Sequence, residues 1–225
     1  MQVYGQLSRG QFLQLPAKTA SYQQWAKALL EFRASENLER NVGYWLTLAQ
    51  RRISSFPRDY EDGSNTEASQ AVVIVELDGA ETERLVREVP GIYGGRLLEA
   101  LITALVLSVT EWSKDRGLLV ELEGHGRDEQ IDVDVSRTVG WFTSIFPVWF
   151  PTLPVHSPHQ QVRMVREQLQ FAAEYSLDYG ILRYLNSGSP VARELARIPR
   201  AEIGFNYLGQ FDVWLNQTDF FLTPA

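Results

Sequence analysis

Glu123-Gly-His125-Gly-Arg127 sets an acid, an imidazole and a guanidinium within a few residues, and Ser136-Arg-Thr-Val-Gly-Trp-Phe-Thr-Ser144 follows closely. Gly124 and Gly126 let the backbone turn tightly and expose the side chains between them. The turn leaves Leu118–Glu123, rich in Leu and Val as a strand buried on both faces would be. Ionisable groups held at the end of a rigid strand are a common way to build a site. The same cluster also fits a surface turn stitched by a salt bridge from Arg127 to Asp128 or Asp132.

Other chemistries find less support. His156 and His159 lie three apart in a proline-broken loop with no evident third ligand, so a solvated loop is expected and no metal. There is no Gly-x-Ser-x-Gly elbow, and Asn186-Ser-Gly-Ser-Pro190 reads as a turn. With no cysteine, disulfides, thiol catalysis and cysteine-ligated zinc are excluded.

The elements that would position the cluster follow from periodicity. Residues 1–53 read as a helical entry segment: Ser21 with Gln24 fits a capping box, and Trp25, Leu29 and Phe32 share one helical face. Residues 54–69 turn polar and read as an exposed connector. Residues 70–225 carry the pattern of an α/β core. Gln70–Leu77 is expected as a buried strand, Ala80–Glu88 as a short charged helix, and Leu97–Trp112 as an enclosed helix apolar nearly all round. Strands are expected at Leu118–Glu123, Val139–Phe146 (ending at Pro147), Ile203–Leu208 and Phe211–Leu222, with helices at Gln160–Glu174 and Ile181–Leu185. Helices between strands favour a layered α/β arrangement.

The 225 residues suffice for a substantial core. A net charge of −7 argues against nucleic acid or an anionic membrane as a general partner. Met1-Gln2-Val3-Tyr4 shows no signal-peptide pattern, and Leu97–Val109 is too short to span a bilayer, so a cytoplasmic location is expected.

Glu123-Gly-His-Gly-Arg-Asp128, Arg137-Thr-Val-Gly-Trp-Phe-Thr143 and Phe205-Asn-Tyr-Leu-Gly-Gln210 occur in the order shown by epimerization domains of nonribosomal peptide synthetases. The whole chain resembles the C-terminal lobe of such a domain, in the condensation-domain superfamily. This implies a chloramphenicol-acetyltransferase-like α/β lobe, with helices packed on a mixed sheet. The family's His-His motif belongs to the N-terminal lobe and is not found among His125, His156 and His159. Two motifs depart from the family: Gly95 stands in place of an Asp ahead of Leu97-Leu98, and Ala173–Asp178 replaces a Pro/Gly-rich stretch.

The resemblance implies interconversion of L- and D-aminoacyl or peptidyl thioesters carried on the 4′-phosphopantetheine of a peptidyl carrier domain, with no intrinsic cofactor. It implies that Glu123 removes or returns the Cα proton, that Tyr207 acts near the reaction centre, and that Arg127 either holds Glu123 or stabilises charge on the thioester oxygen. Asn206, His125, Arg137, Thr138, Trp141 and Phe142 are placed along the substrate tunnel, with the His125 side chain expected to point away from Glu123. The missing N-terminal lobe is an expected partner, and the lobe alone is expected to be inactive. It should also expose an apolar face near Glu123 and Trp141 and self-associate through it. Two alternatives remain: a noncatalytic platform that docks a carrier or partner domain, and a peptide-bond-forming condensation lobe.

Overall fold

The computed structural model describes residues 2–60, 62–64, 66–128, 130–152 and 157–209. Three helices open the chain: α1 (Gln2–Ser8), α2 (Tyr22–Phe32) and α3 (Glu36–Ala49). At the start of α2 the Ser21 hydroxyl accepts from the Gln24 N–H, while the Gln24 side chain accepts from the Ser21 N–H, as the spacing predicts. Trp25 is buried, and Leu29 and Phe32 pack against the core. In α3, Ser35 caps the Leu38 N–H and the helix buries Leu38, Trp45 and Leu48.

The next helices are α4 (Gly79–Arg87), α5 (Val89–Tyr93) and α6 (Leu97–Ser113), before strand β1 (Gly117–Gly124). Strand β2 (Ser144–Pro151) leads to α7 (Pro158–Glu174), α8 (Ser176–Gly180), a π-helical turn at Ile181–Leu185, α9 (Pro190–Leu195) and strand β3 (Ile203–Phe205). The strand order is β2-β1-β3, with β1 antiparallel to β2 and parallel to β3. Leu118, Leu119 and Val120 are buried in succession, so both faces of central β1 are covered there, as its composition implied. Helix α6 packs on β1, and α7 packs on α6 and β2. Behind β2, the rings of Tyr44, Trp45, Tyr175 and Tyr179 bind α3 to α8, with Trp45 and Tyr179 at 4.9 Å between centroids.

Two expected strands need correction. The β2 strand begins only at Ser144 and runs through Pro147 to Pro151 instead of stopping at the first proline. Pro147 and Pro151 pair with Glu121 and Gly117, four residues apart and so with the same orientation in the ladder. Among the described strands β2 lies at an edge, where a proline nitrogen can face outward without breaking a ladder hydrogen bond. Gln70–Leu77 is neither buried nor, among the described residues, a paired strand: Val73 is 86% exposed and Ile74 80%. Its β-branched composition is that of a strand, but it joins no sheet among the described residues. The expected strand Phe211–Leu222 and His156 lie outside the described residues. No single described helix is long and apolar enough to cross a membrane.

Candidate active site

Strand β1 ends by delivering Glu123 to the mouth of a pocket of about 280 Å³. The floor is apolar, drawn from Ile102, Leu122, Phe146, Leu169 and Phe205. Its polar wall holds Glu123, His125, Asp128, Arg96, Asn206 and Tyr207. Parallel pairing of β3 with β1 sets Leu122 opposite Phe205, which brings Asn206 and Tyr207 alongside Glu123 from a segment more than eighty residues later. The Asn206 Nδ2 donates to Glu123 Oε2 at 3.3 Å. Glu123 itself is exposed, so its carboxylate is open to a ligand.

Four residues singled out by the resemblance, Glu123, His125, Asn206 and Tyr207, thus line one cavity. His125 corrects the expectation that it turns away: residues two apart on an extended chain project to the same side, and both line the pocket. Its Nδ1 accepts a hydrogen bond from the Arg127 N–H at 3.0 Å, which fixes the ring in the turn.

Arg127 is placed differently from either expectation. Its guanidinium donates to the carbonyls of Val135 and Thr138, the latter at 2.8 Å, and lies 3.9 Å over the centre of the Phe142 ring. Among the described residues it bridges no carboxylate, and it does not line the pocket; it is a positioning residue that closes the loop from 127 to 138. The Thr138 hydroxyl bonds the Ala20 carbonyl and lies 3.2 Å from the Thr19 hydroxyl. Phe142 is buried edge-on against Tyr22 and Trp25. The Arg137–Thr143 motif is thus a clasp between the loop after β1 and the start of α2, not a wall of this pocket. Gly126 is required in it, since its φ is +65° and a Cβ there would overlap the Phe142 carbonyl. Trp141 and Val139 stand out from the clasp, 77% and 95% exposed, and Arg137 is also exposed.

One charged group beside the pocket was missed from the sequence. Glu99 is buried and accepts from Arg166 Nε at 2.8 Å and from Arg96 Nε at 3.1 Å. Burial pushes its carboxyl up, but the hydrogen bonds from Arg166 and Arg96 outweigh this and hold it below the usual range. An acid in the first turn of the largely apolar α6, three residues after Arg96, was the available signal. It also explains Gly95, where any side chain would meet Arg166 and Glu99. Among the described residues no group of three His, Asp or Glu side chains is arranged to hold a metal ion.

A mixed sheet with helices packed on it, and an acid at the pocket end of its central strand, defines a lobe of the chloramphenicol-acetyltransferase-like class. Residues 1–221 match the Condensation domain family. This chain belongs to that family, whose relatives here are subunits of nonribosomal peptide synthetases. A linear gramicidin synthase subunit of Brevibacillus parabrevis is 41% identical over 215 residues, which covers 95% of this chain and 3% of that protein. The epimerization domain from the third module of tyrocidine synthetase B superposes with a TM-score of 0.79 at 35% identity, over 92% of this chain and 46% of that one. The first condensation domain of the CDA synthetase, at 18% identity and a TM-score of 0.65, covers 90% of this chain and 42% of its own, a likeness of fold alone. The chain thus spans under half of these solved domains and a small fraction of the curated relatives.

Proposed function

We propose that this chain is the Glu123-bearing lobe of an epimerization domain, which interconverts L- and D-aminoacyl or peptidyl thioesters on the 4′-phosphopantetheine of a peptidyl carrier domain. The observation that carries this reading is the placement of Glu123, open at a pocket mouth and bonded by Asn206, with Tyr207 in the same wall. The similarity to the tyrocidine synthetase B epimerization domain, at 35% identity, supports epimerization over amide formation.

The chemistry asks for little beyond these groups. The Cα proton of a thioester is acidified by its carbonyl, so the thioester is its own electron sink. The Glu123 carboxylate takes the proton from one face, leaving an enolate whose charge sits on the thioester oxygen. The Tyr207 hydroxyl donates to that oxygen. A second acid, carried by the part of the domain that this chain does not match, returns a proton to the other face. Without it the chain alone is inactive.

The test joins this chain to the unmatched portion of the tyrocidine synthetase B epimerization domain and supplies an aminoacyl carrier domain in deuterium oxide. Glu123→Gln is expected to slow Cα proton exchange by about 10²–10⁴-fold while leaving the melting temperature unchanged. Undiminished exchange in that variant refutes the assignment. Amide formation would identify a condensation lobe, and carrier binding without exchange a docking platform.

A further inference from the structure

The segment from Ala71 to Leu77 reads Ala-Val-Val-Ile-Val-Glu-Leu, with no glycine, no proline and a single charge. Both of its ends are fixed. Upstream, the Ser69 hydroxyl donates to the carbonyls of Ser64 and Thr66 at 3.0 and 2.8 Å. Downstream, Asp78 and Glu81 form a reciprocal cap on α4. Between these anchors no residue from Ala71 to Leu77 makes a backbone–backbone hydrogen bond among the described residues, and Val72–Val75 are each at least 75% exposed. Alternation gives one wholly apolar face, Ala71, Val73, Val75 and Leu77. The other is apolar at Val72 and Ile74 and becomes polar at Gln70 and Glu76. Proteins guard an unpaired strand with charge, proline or a bulge, and here only Glu76, near the end of the segment, does so. Left bare, it is the type of segment that seeds aggregation.

We propose that Ala71–Leu77 is an interface strand that completes a sheet by pairing with an exposed strand edge in the portion of an epimerization-type domain that this chain does not match. The occupant is chosen on two grounds. More than half of the solved tyrocidine synthetase B domain has no counterpart in this chain, which covers 46% of it. A second copy is disfavoured by charge: the strand is flanked by Glu67 on one side and by Glu76, Asp78 and Glu81 on the other, so either register sets acid beside acid. The complementary edge is therefore bordered by neutral or basic side chains, and its backbone supplies the affinity. This rests on the same family reading as the proposed function but not on any catalytic role of Glu123.

Hydrogen–deuterium exchange tests it on the chain alone and on its fusion to the unmatched portion of the tyrocidine synthetase B domain. In the free chain the amides of 71–77 are expected to exchange as fast as an unfolded peptide at every concentration, while those of Val120 and Val148 stay protected. In the fusion, 71–77 should slow at least 100-fold, and Val73→Lys with Val75→Lys should abolish that protection without changing the melting temperature of the free chain. Protection in the free chain that grows with concentration would assign the strand to a second copy. Protection at all concentrations would place its partner within the chain. Either result overturns the proposal, as does a fusion that leaves 71–77 unprotected. A fusion that protects 71–77 yet exchanges no Cα proton keeps the strand assignment and counts against the epimerase reading instead.

Discussion

Tyr207 sits in the pocket wall with Glu123, and in the proposed reaction its hydroxyl donates to the developing oxyanion. Tyr207→Phe in the complemented domain should cut the exchange rate by about 10²-fold, the usual cost of one lost donor, with little change in carrier affinity. Equal rates in stopped-flow exchange would remove Tyr207 from the chemistry. A second acid titrates in the core. Asp178 of α8 is wholly buried; its Oδ2 accepts from Asn41 Nδ2 at 2.7 Å, and its Oδ1 has no partner among the described residues. Burial pushes its carboxyl up, the Asn41 bond pulls it back, and the carboxylates of Asp128 and Glu174 push it further, to about 6 from 3.8. Between these values the folded chain keeps a proton that the unfolded chain has released. Stability is therefore fully present below the lower value and falls as pH rises towards the upper one. The loss is roughly 3 kcal/mol. Asp178→Asn should flatten that slope and raise stability above it, as read by urea unfolding at about pH 5 and about pH 8. An unchanged slope would assign the effect to another group.

Among the elements, the clasp after β1 sorts two adjacent aromatics into opposite roles. Phe142 is enclosed by Tyr22, Trp25 and the Arg127 guanidinium, whereas Trp141 projects outward. Phe142→Ala should cost about 3–5 kcal/mol, and Trp141→Ala no more than about 0.5 kcal/mol, in chemical denaturation. Comparable losses would mean that Trp141 is covered in solution. Sequence pattern alone foresaw the helices well, because α2, α6 and α7 bury stripes or whole surfaces whose period shows in the residues. Glu123, Asn206 and Tyr207 were legible only through shared motifs, since it is the parallel pairing of β3 that brings them together. Arg127 was misjudged because a guanidinium satisfied by carbonyls leaves no carboxylate partner in the sequence to find. The start of β2 was misplaced because Val139–Thr143 has strand composition yet serves the clasp, and a proline on an edge strand is silent in the pattern.

At the scale of the whole molecule, apolar residues are left open in several places. Val139, Trp141, Ile145 and Leu208 are exposed, as is the run at 72–75. Ile145 pairs with Glu123 across β1 and β2, so bare hydrocarbon borders the acid itself. Gln70–Leu77 has the composition of a buried strand yet is exposed and unpaired among the described residues, since composition reports what a segment favours and not what surrounds it. One consequence lies in the two edge prolines. On its outer rim β2 presents no N–H at Pro147 or at Pro151, so an incoming strand would find two rungs empty there. The far rim, along β3, carries no such gap: Ile203, Gly204 and Phe205 all keep their donors. Among the described strands the two prolines therefore disfavour pairing on the β2 rim, and the rim without such gaps is the one on which Asn206 and Tyr207 emerge.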